Sequence, residues 1–265
     1  MQITNEDNME LMARYSDGYF DLAIVDPPFG IGNFVQSGGN VRGTKVKWNN
    51  NIPNQNYFEE LKRVSKNRII FGANYYNCFE KIGGAIVWIK NQPMPNFSKA
   101  VIASCSFHKK VEIYTQTWTN FVHKGRTTEH PCEMPVDIYK WILKNYAKKG
   151  DKILDTHLGS GSIAIACYDY GFDLTACELD KEYFDAAIKR IEEHKLQLKI
   201  FNKLKKPMNT EKTTMETVID KLGPLINPEL AKWLLDQEKR EHQIWFNKGF
   251  EFYHEQMMAK KMLEK

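Results

Sequence analysis

The chain contains no run of 18 apolar residues, which excludes a transmembrane helix. It contains no C-x-x-C pair, and its five cysteines at 78, 105, 132, 167 and 177 are odd in number and irregular in spacing. That excludes a disulfide framework and a zinc site. Its opening, MQITNEDNME, is polar and acidic and lacks the apolar stretch of a secretory signal. These features predict a cytoplasmic protein with reduced thiols and no metal. Neither charge sign dominates: 37 Lys and Arg against 33 Asp and Glu give +4, which permits a nucleic-acid partner without requiring one. Composition is ordinary, 42% hydrophobic and 26% charged, so neither collagen nor global disorder fits. At 265 residues the chain makes one large domain, or one domain with an appendage.

What is present reads as strands alternating with helices. Phe20–Val25 is apolar and runs into Asp26-Pro27-Pro28, where two prolines end a strand because neither donates to the ladder. Residues 30–56, rich in Gly and Asn, read as a loop, followed by a helix at 57–65. Further strands are predicted at 67–71, 84–89, 110–114, 152–155 and 173–177. Helices are predicted from 131 to a cap at Gly150, at 162–170 and at 181–194. The pattern is α/β with a mostly parallel sheet over 1–202. Lys203–Thr214 is lysine-rich with Pro207, and Asn227-Pro228-Glu229 opens a helix, so 203–265 reads as a helical C-terminal extension. Its stripe of Trp233, Leu234, Trp245 and Phe252 reads as a face packed on the main domain, or as a dimer surface.

Two segments carry chemistry. In KILDTHLGSGSIAIACYDYGFDLTACELD (152–180) a strand ends at Asp155, a turn holds Gly159 and Gly161, and a helix follows. Glu178 ends the next strand, 19 residues after Gly159. Glycines permit the tight turn and close backbone approach, and an acid at this distance accepts the hydroxyls of an adenosine ribose. Gly159, Gly161 and Ala164 also satisfy a dinucleotide pattern, which leaves an NADP dehydrogenase open. Asp155 weighs against it, because a carboxylate there repels pyrophosphate and attracts a cation such as S-adenosylmethionine.

The second segment is Asp26-Pro27-Pro28-Phe29-Gly30. A carboxylate at a strand's carboxyl end, a carbonyl in a rigid turn and an aromatic face suit a planar amine. Asp26 and the Pro27 carbonyl accept its two N–H bonds while Phe29 stacks on the ring. Two placed acceptors favour the tetrahedral, nucleophilic nitrogen and its developing positive charge.

These motifs resemble the amino-methylating DNA methyltransferases, with their [DNS]-P-P-[YFW] and F-x-G-x-G motifs. The chain has DPPF at 26–29, HLGSG at 157–161 and His130-Pro131-Cys132-Glu133-Met134-Pro135 where the permuted β group has H-P-x-x-K-P. The order, catalytic motif first, is that of the β group. The resemblance covers about residues 1–200. It implies a circularly permuted Rossmann-like methyltransferase fold, S-adenosyl-L-methionine as cofactor with S-adenosyl-L-homocysteine as product, and DNA as substrate, its target base flipped from the duplex. Asp26, Pro27, Pro28 and Phe29 would hold the base. Asp155 would face the methionyl amine and Glu178 the ribose, with Gly159 and Gly161 approaching by backbone. His157, Ser160, Ser162, Leu179, His130, Pro131, Phe71 and Gly72 would line the cofactor pocket. DPPF favours adenine N6 over cytosine N4.

Basic residues flank the catalytic turn. Arg42, Lys45, Lys47 and Trp48 lie in the loop at 33–50, and Lys124 and Arg126 lie with Lys109 and Lys110 in 108–130. Both groups are read as phosphate contacts, with Trp48 able to wedge a base stack. The setting this implies is a modification enzyme of a prokaryotic or phage cytoplasm, compatible with a homodimer and a cognate restriction endonuclease. Rivals are an N4-cytosine or RNA amine methyltransferase and a non-catalytic nucleic-acid-binding partner subunit.

Overall fold

The computed structural model describes residues 1–31, 51–79, 83–91, 98–116 and 133–204. The chain divides into two compact units, Met1–Glu192 and Glu193–Lys265. Of the second, only the end of a helix, up to Leu204, is described.

Among the described residues the strands are β1 (Gln2–Thr4), β2 (Phe20–Val25), β3 (Ser65–Phe71), β4 (Gly84–Ile89), β5 (Ala100–Cys105), β6 (Val111–Thr115), β7 (Lys152–Asp155) and β8 (Asp173–Cys177). The helices are α1 (Asn8–Ala13), α2 (Gln55–Val64), α3 (Ala73–Tyr76), α4 (Val136–Tyr146), α5 (Ser162–Tyr170) and α6 (Lys181–Leu204). The strands form one sheet in the order β1-β8-β7-β2-β3-β5-β4-β6. Only β5 runs against the others, antiparallel to both β3 and β4. From β2 the chain moves outward through β3, and from β7 it moves the other way through β8. The strand order therefore reverses between β7 and β2, which pair in parallel with Leu22 opposite Ile153 and Ala23 opposite Leu154. A crevice opens beyond the carboxyl ends at such a point, and ligands of open α/β sheets bind there.

The two-residue period of the strands separates two apolar layers. Leu22, Ile24, Ile69, Phe71 and Ile153 face one cluster with Ile138 and Ile142 of α4 and Ile163 of α5. Ala23, Val25, Ile70 and Leu154 face the other, with Leu11 and Met12 of α1 and Tyr57, Leu61 and Val64 of α2. Asn54 starts α2 by accepting the Tyr57 N–H at 3.0 Å.

The structure corrects several sequence expectations. The helix α4 ends at Tyr146, with Ala147 extended at φ −100°, well short of Gly150. A separate turn claims the glycine: Asp151 Oδ2 accepts the Lys148 N–H at 2.8 Å, and Gly150 sits within that turn at φ +94°. The strand predicted from Lys110 begins one residue later, at Val111. Strands β1 and β5 and helix α1 carry no strong periodic signal and were not anticipated. The expectations for 205–265 lie outside the described residues.

Candidate active site

The cofactor-type loop joins β7 to α5 across 156–161. Gly159 and Gly161 have φ +52° and +78°, a backbone that L side chains resist. Gly161 is also pressed by α6: a Cβ there would lie 3.2 Å from Ile191 Cδ1 and 3.3 Å from Ala187 Cβ. Glu178, just past β8, reaches back to the loop. Its Oε2 accepts the Gly159 N–H at 2.8 Å and its Oε1 the Asp180 N–H at 3.0 Å. The carboxylate is thus held in one orientation with lone pairs left on both oxygens. Burial pushes its pKa up, and these backbone donors pull it back. The side chain of the next residue, Leu179, is exposed.

A buried charge pair stands behind the loop. Arg190 of α6 donates from Nη1 to the Ser160 carbonyl at 2.8 Å and to Ser162 Oγ at 3.0 Å. Its Nη2 lies 2.8 Å from Glu133 Oε1, and the two side chains are only 11% and 2% exposed. Ser162 Oγ donates to the Met134 carbonyl at 2.6 Å. The pair joins three segments that are distant in sequence: the stretch before α4, the glycine loop and α6. Neither residue was singled out from sequence, where a charge in a helix reads as solvated. The one available signal was the position of Glu133 within HPCEMP.

His157 departs from its expected role. Its Nε2 lies 3.1 Å from Asn8 Nδ2 and its Nδ1 3.0 Å from Thr156 Oγ1, and its ring meets Tyr57 edge-on at 5.3 Å. Burial pushes its pKa down to about 4, so the ring is neutral at neutral pH. The imidazole is thus engaged with α1 and α2, and only its backbone serves Asp155, whose Oδ1 accepts the His157 N–H at 3.0 Å. Asp155 itself is buried. Its pKa is pushed up to about 8, first by burial, with further repulsion from Asp26 and Glu178.

Across the crevice, Asp26 follows the last residue of β2. Its Oδ1 is buried and has no hydrogen-bond partner among the described residues. Burial raises its pKa to about 7, although the positive Lys90 partly opposes this. The Pro27 carbonyl accepts the Tyr76 hydroxyl at 2.5 Å. Phe29 stacks on Tyr75 with ring centroids 4.9 Å apart and planes 15° apart. Gly72, at φ +75°, makes room for this: a Cβ there would lie 2.4 Å from the Phe29 ring. The structure therefore moves two expected cofactor residues. Phe71 packs in the core, where its ring meets Tyr139 at 6.2 Å. Gly72 abuts the catalytic turn. An α/β strand alternates faces, so the Phe71 side chain is drawn into the core and only the following turn reaches the crevice.

His130 and Pro131, and the DNA-contact expectations Arg42, Lys45, Lys47, Trp48, Lys124 and Arg126, lie outside the described residues. Lys110, counted with the second basic group, pairs with Glu112 on β6. The described residues include no cluster of side chains that could hold a metal, and no described helix is long and apolar enough to cross a membrane.

The crevice thus pairs a glycine loop held by a carboxylate with a second turn of acceptors, and sequence comparison agrees with the class of protein this suggests. Residues 106–189 match the profile of the DNA methylase family of N6- and N4-methylating enzymes. The chain is 22% identical over 240 residues to the Type II methyltransferase M2.DpnII of Streptococcus pneumoniae, covering 72% of this chain and 90% of that protein. It is 22% identical over 237 residues to the Type II methyltransferase M2.LlaDCHI of Lactococcus lactis subsp. cremoris, covering 71% and 88%. Among solved structures, the M1.HpyAVI–SAM complex superposes with a TM-score of 0.47 at 20% identity, covering 71% of this chain and 98% of that one. PvuII DNA methyltransferase (cytosine-N4-specific) superposes at 0.49 with 13% identity, covering 88% and 92%. The chain is thus similar, over residues 106–189, to the DNA methylase family and, over most of its length, to Type II methyltransferases.

Two outcomes are expected of the chain itself. Arg190→Met leaves Glu133 buried without its cation and should cost about 3–5 kcal/mol in urea denaturation. Adding Glu133→Gln should recover part of that loss; a single variant as stable as the wild type would show that the pair does not brace the loop. The pH dependence follows from the signs. Below about pH 4 Asp155 is protonated folded or unfolded. As pH rises from there the unfolded chain ionises first, so stability falls until the folded value of about 8 is passed. His157 acts oppositely, adding stability with rising pH between about 4 and its ordinary 6.5. Above that range the carboxylates dominate. Melting temperature should therefore fall from about pH 6.5 to 8.5, and Asp155→Asn should flatten the slope. An unchanged slope in that variant would contradict the assignment.

Proposed function

We propose that the chain is a DNA methyltransferase that uses S-adenosylmethionine to methylate the exocyclic N6 of adenine, the base being flipped out of the duplex. The observation that carries this is a pair of carboxylates: the half-buried Asp26, whose Oδ1 is shielded from solvent, and the buried Asp155. They stand at the carboxyl ends of adjacent strands, and neither forms an ion pair among the described residues. Such a crevice disfavours a pyrophosphate and suits a ligand carrying positive charge. That argues against the NADP alternative and for a cofactor with an ammonium and a sulfonium.

The donor set fits that cofactor. Glu178, fixed on the loop by the Gly159 N–H, has lone pairs for the ribose hydroxyls. The loop backbone at Gly159 and Gly161, with Ser160 and Ser162 beside it, forms the floor, and Asp155 supplies the negative charge for the methionyl amine. When bound, S-adenosylmethionine supplies an electrophilic methyl group and leaves as S-adenosylhomocysteine.

The chain's own residues act on the target amine. Asp26 Oδ1 and the Pro27 carbonyl accept its two N–H bonds, which draws the nitrogen lone pair out of conjugation with the ring. Phe29 holds the ring plane, which fixes the approach of the nitrogen to within a narrow angle. As the N–C bond forms and the S–C bond breaks, positive charge grows on the nitrogen. Asp26 stabilises that charge and takes the proton the nitrogen sheds, before passing it to water. An aspartate at this position favours adenine, and the Type II relatives are consistent with a modification enzyme beside a restriction endonuclease.

Nucleoside mass spectrometry on unmethylated DNA, incubated with the purified chain and S-adenosylmethionine, tests the whole reading. N6-methyladenine is the expected product. N4-methylcytosine would keep the mechanism and change the base, and no product with cofactor bound would favour RNA or a non-catalytic partner role. Asp26→Ala should lower transfer by at least about 100-fold with cofactor affinity nearly intact, whereas Glu178→Ala should weaken cofactor binding. Loss of cofactor affinity in the first variant, or unchanged affinity in the second, would reverse the assignments.

A further inference from the structure

Pro27 and Pro28 have no N–H, so neither of them can donate within the turn after β2. The donor that meets the Pro27 carbonyl comes from 49 residues downstream, the Tyr76 hydroxyl. That side chain is itself anchored. Its ring lies 5.4 Å from Phe58 of α2 and 6.2 Å from Phe29, so it touches both the helix layer and the catalytic turn. It is the last residue of α3, a four-residue helix bounded by left-handed residues, Gly72 at φ +75° and Asn77 at φ +54°. Gly72 is required on this side too, because a Cβ there would come within 3.0 Å of the Tyr76 hydroxyl. Burial and the nearby Asp26 hold the phenol protonated, so it donates. A carbonyl oxygen has two lone pairs; Tyr76 takes one and leaves the other.

We propose that Tyr76 is a positioning residue for methyl transfer: its hydroxyl aims the Pro27 carbonyl at the exocyclic amine of the target base, as the second acceptor beside Asp26. The inference rests on the methyltransferase reading above and deepens it. Transfer depends on acceptors held to within about 0.5 Å and 10–20° of the productive geometry. Asp26 follows the end of a buried strand, whereas the Pro27 carbonyl lies beyond the ladder and accepts the Tyr76 hydroxyl. The opposite sign is also physically available. A hydroxyl that merely occupies the place of the amine N–H would have to be displaced by the base, and removing it would speed the reaction.

Tyr76→Phe separates these, because it keeps the ring packing and removes only the hydroxyl. The full chain is assayed with tritiated S-adenosylmethionine and unmethylated plasmid DNA, with DNA affinity and thermal melting measured alongside. The expected result is a kcat lower by about tenfold, the worth of one hydrogen bond lost in the transition state. KM for S-adenosylmethionine and Kd for DNA should stay within about twofold, with cooperative melting retained; a merely structural role would not produce that split. A kcat equal to that of the wild type, a faster rate, or a change confined to KM for S-adenosylmethionine overturns the assignment. A wild-type chain that transfers nothing to DNA overturns the methyltransferase reading first and this inference with it.

Discussion

Two carboxylates that end neighbouring parallel strands away from water set the terms for the rest of the molecule. An ionised carboxylate buried without a cation costs several kcal/mol, and a protein meets that cost with a proton, a counter-ion or a ligand. Asp155 and Asp26 are both pushed toward the protonated form by burial, and Asp26 adds to the difficulty of ionising Asp155. The sheet makes this arrangement unavoidable. β7 and β2 lie side by side only because the strand order reverses there, and both point their carboxyl ends into one crevice. A stability optimum would place apolar residues at these positions. On the proposed reading the crevice is instead prepared for positive charge, delivered with a cofactor on one side and developed on a nitrogen on the other.

Among the described residues, the surroundings of Asp155 leave that charge balance unmet. His157, two residues from Asp155, could supply a cation, and it is held neutral by burial between Asn8, Thr156 and Tyr57. Arg190 carries a permanent charge at the same loop, but Glu133 pairs with it, and its Nη1 donates to Ser160 and Ser162. The positive charges of the loop are thus either silenced or matched, and the acceptors facing the crevice stay acceptors.

How much of this the sequence showed depends on the range of the interaction. Asp26, Asp155 and Glu178 were legible because each follows an apolar strand, and a strand's carboxyl end is a fixed place in an α/β sheet. The glycines at 159 and 161 were legible because a positive φ leaves few residue choices. The misplaced residues failed for the same local reason. Phe71 was assigned to the pocket by the family resemblance of its strand end, yet side-chain alternation sends it into the core. His157 stands in the loop, but its ring partners come from α1 and α2. Arg190 and Tyr76 were invisible, and Glu133 showed only through its place in HPCEMP, because their partners lie tens of residues away and no periodicity records a pairing across elements.

The motif order fits the same logic. The catalytic strand precedes the cofactor strand in the chain, yet β2 and β7 are neighbours, and the opening strand β1 pairs with β8 as Gln2 opposite Thr175. Parallel neighbours are joined by crossovers, so their adjacency does not depend on which is made first. What the order cannot change is that the Asp26–Phe29 turn needs supports from elsewhere. It receives them from the end of β3, where Gly72 admits the Phe29 ring, and from α3 directly after it, where Tyr76 meets the Pro27 carbonyl. β3 is also the strand that pairs with β2 along its length, with Ile70 opposite Val25. The register that places Asp26 therefore also places Gly72 and Tyr76, and one strand pairing determines the geometry of both acceptors.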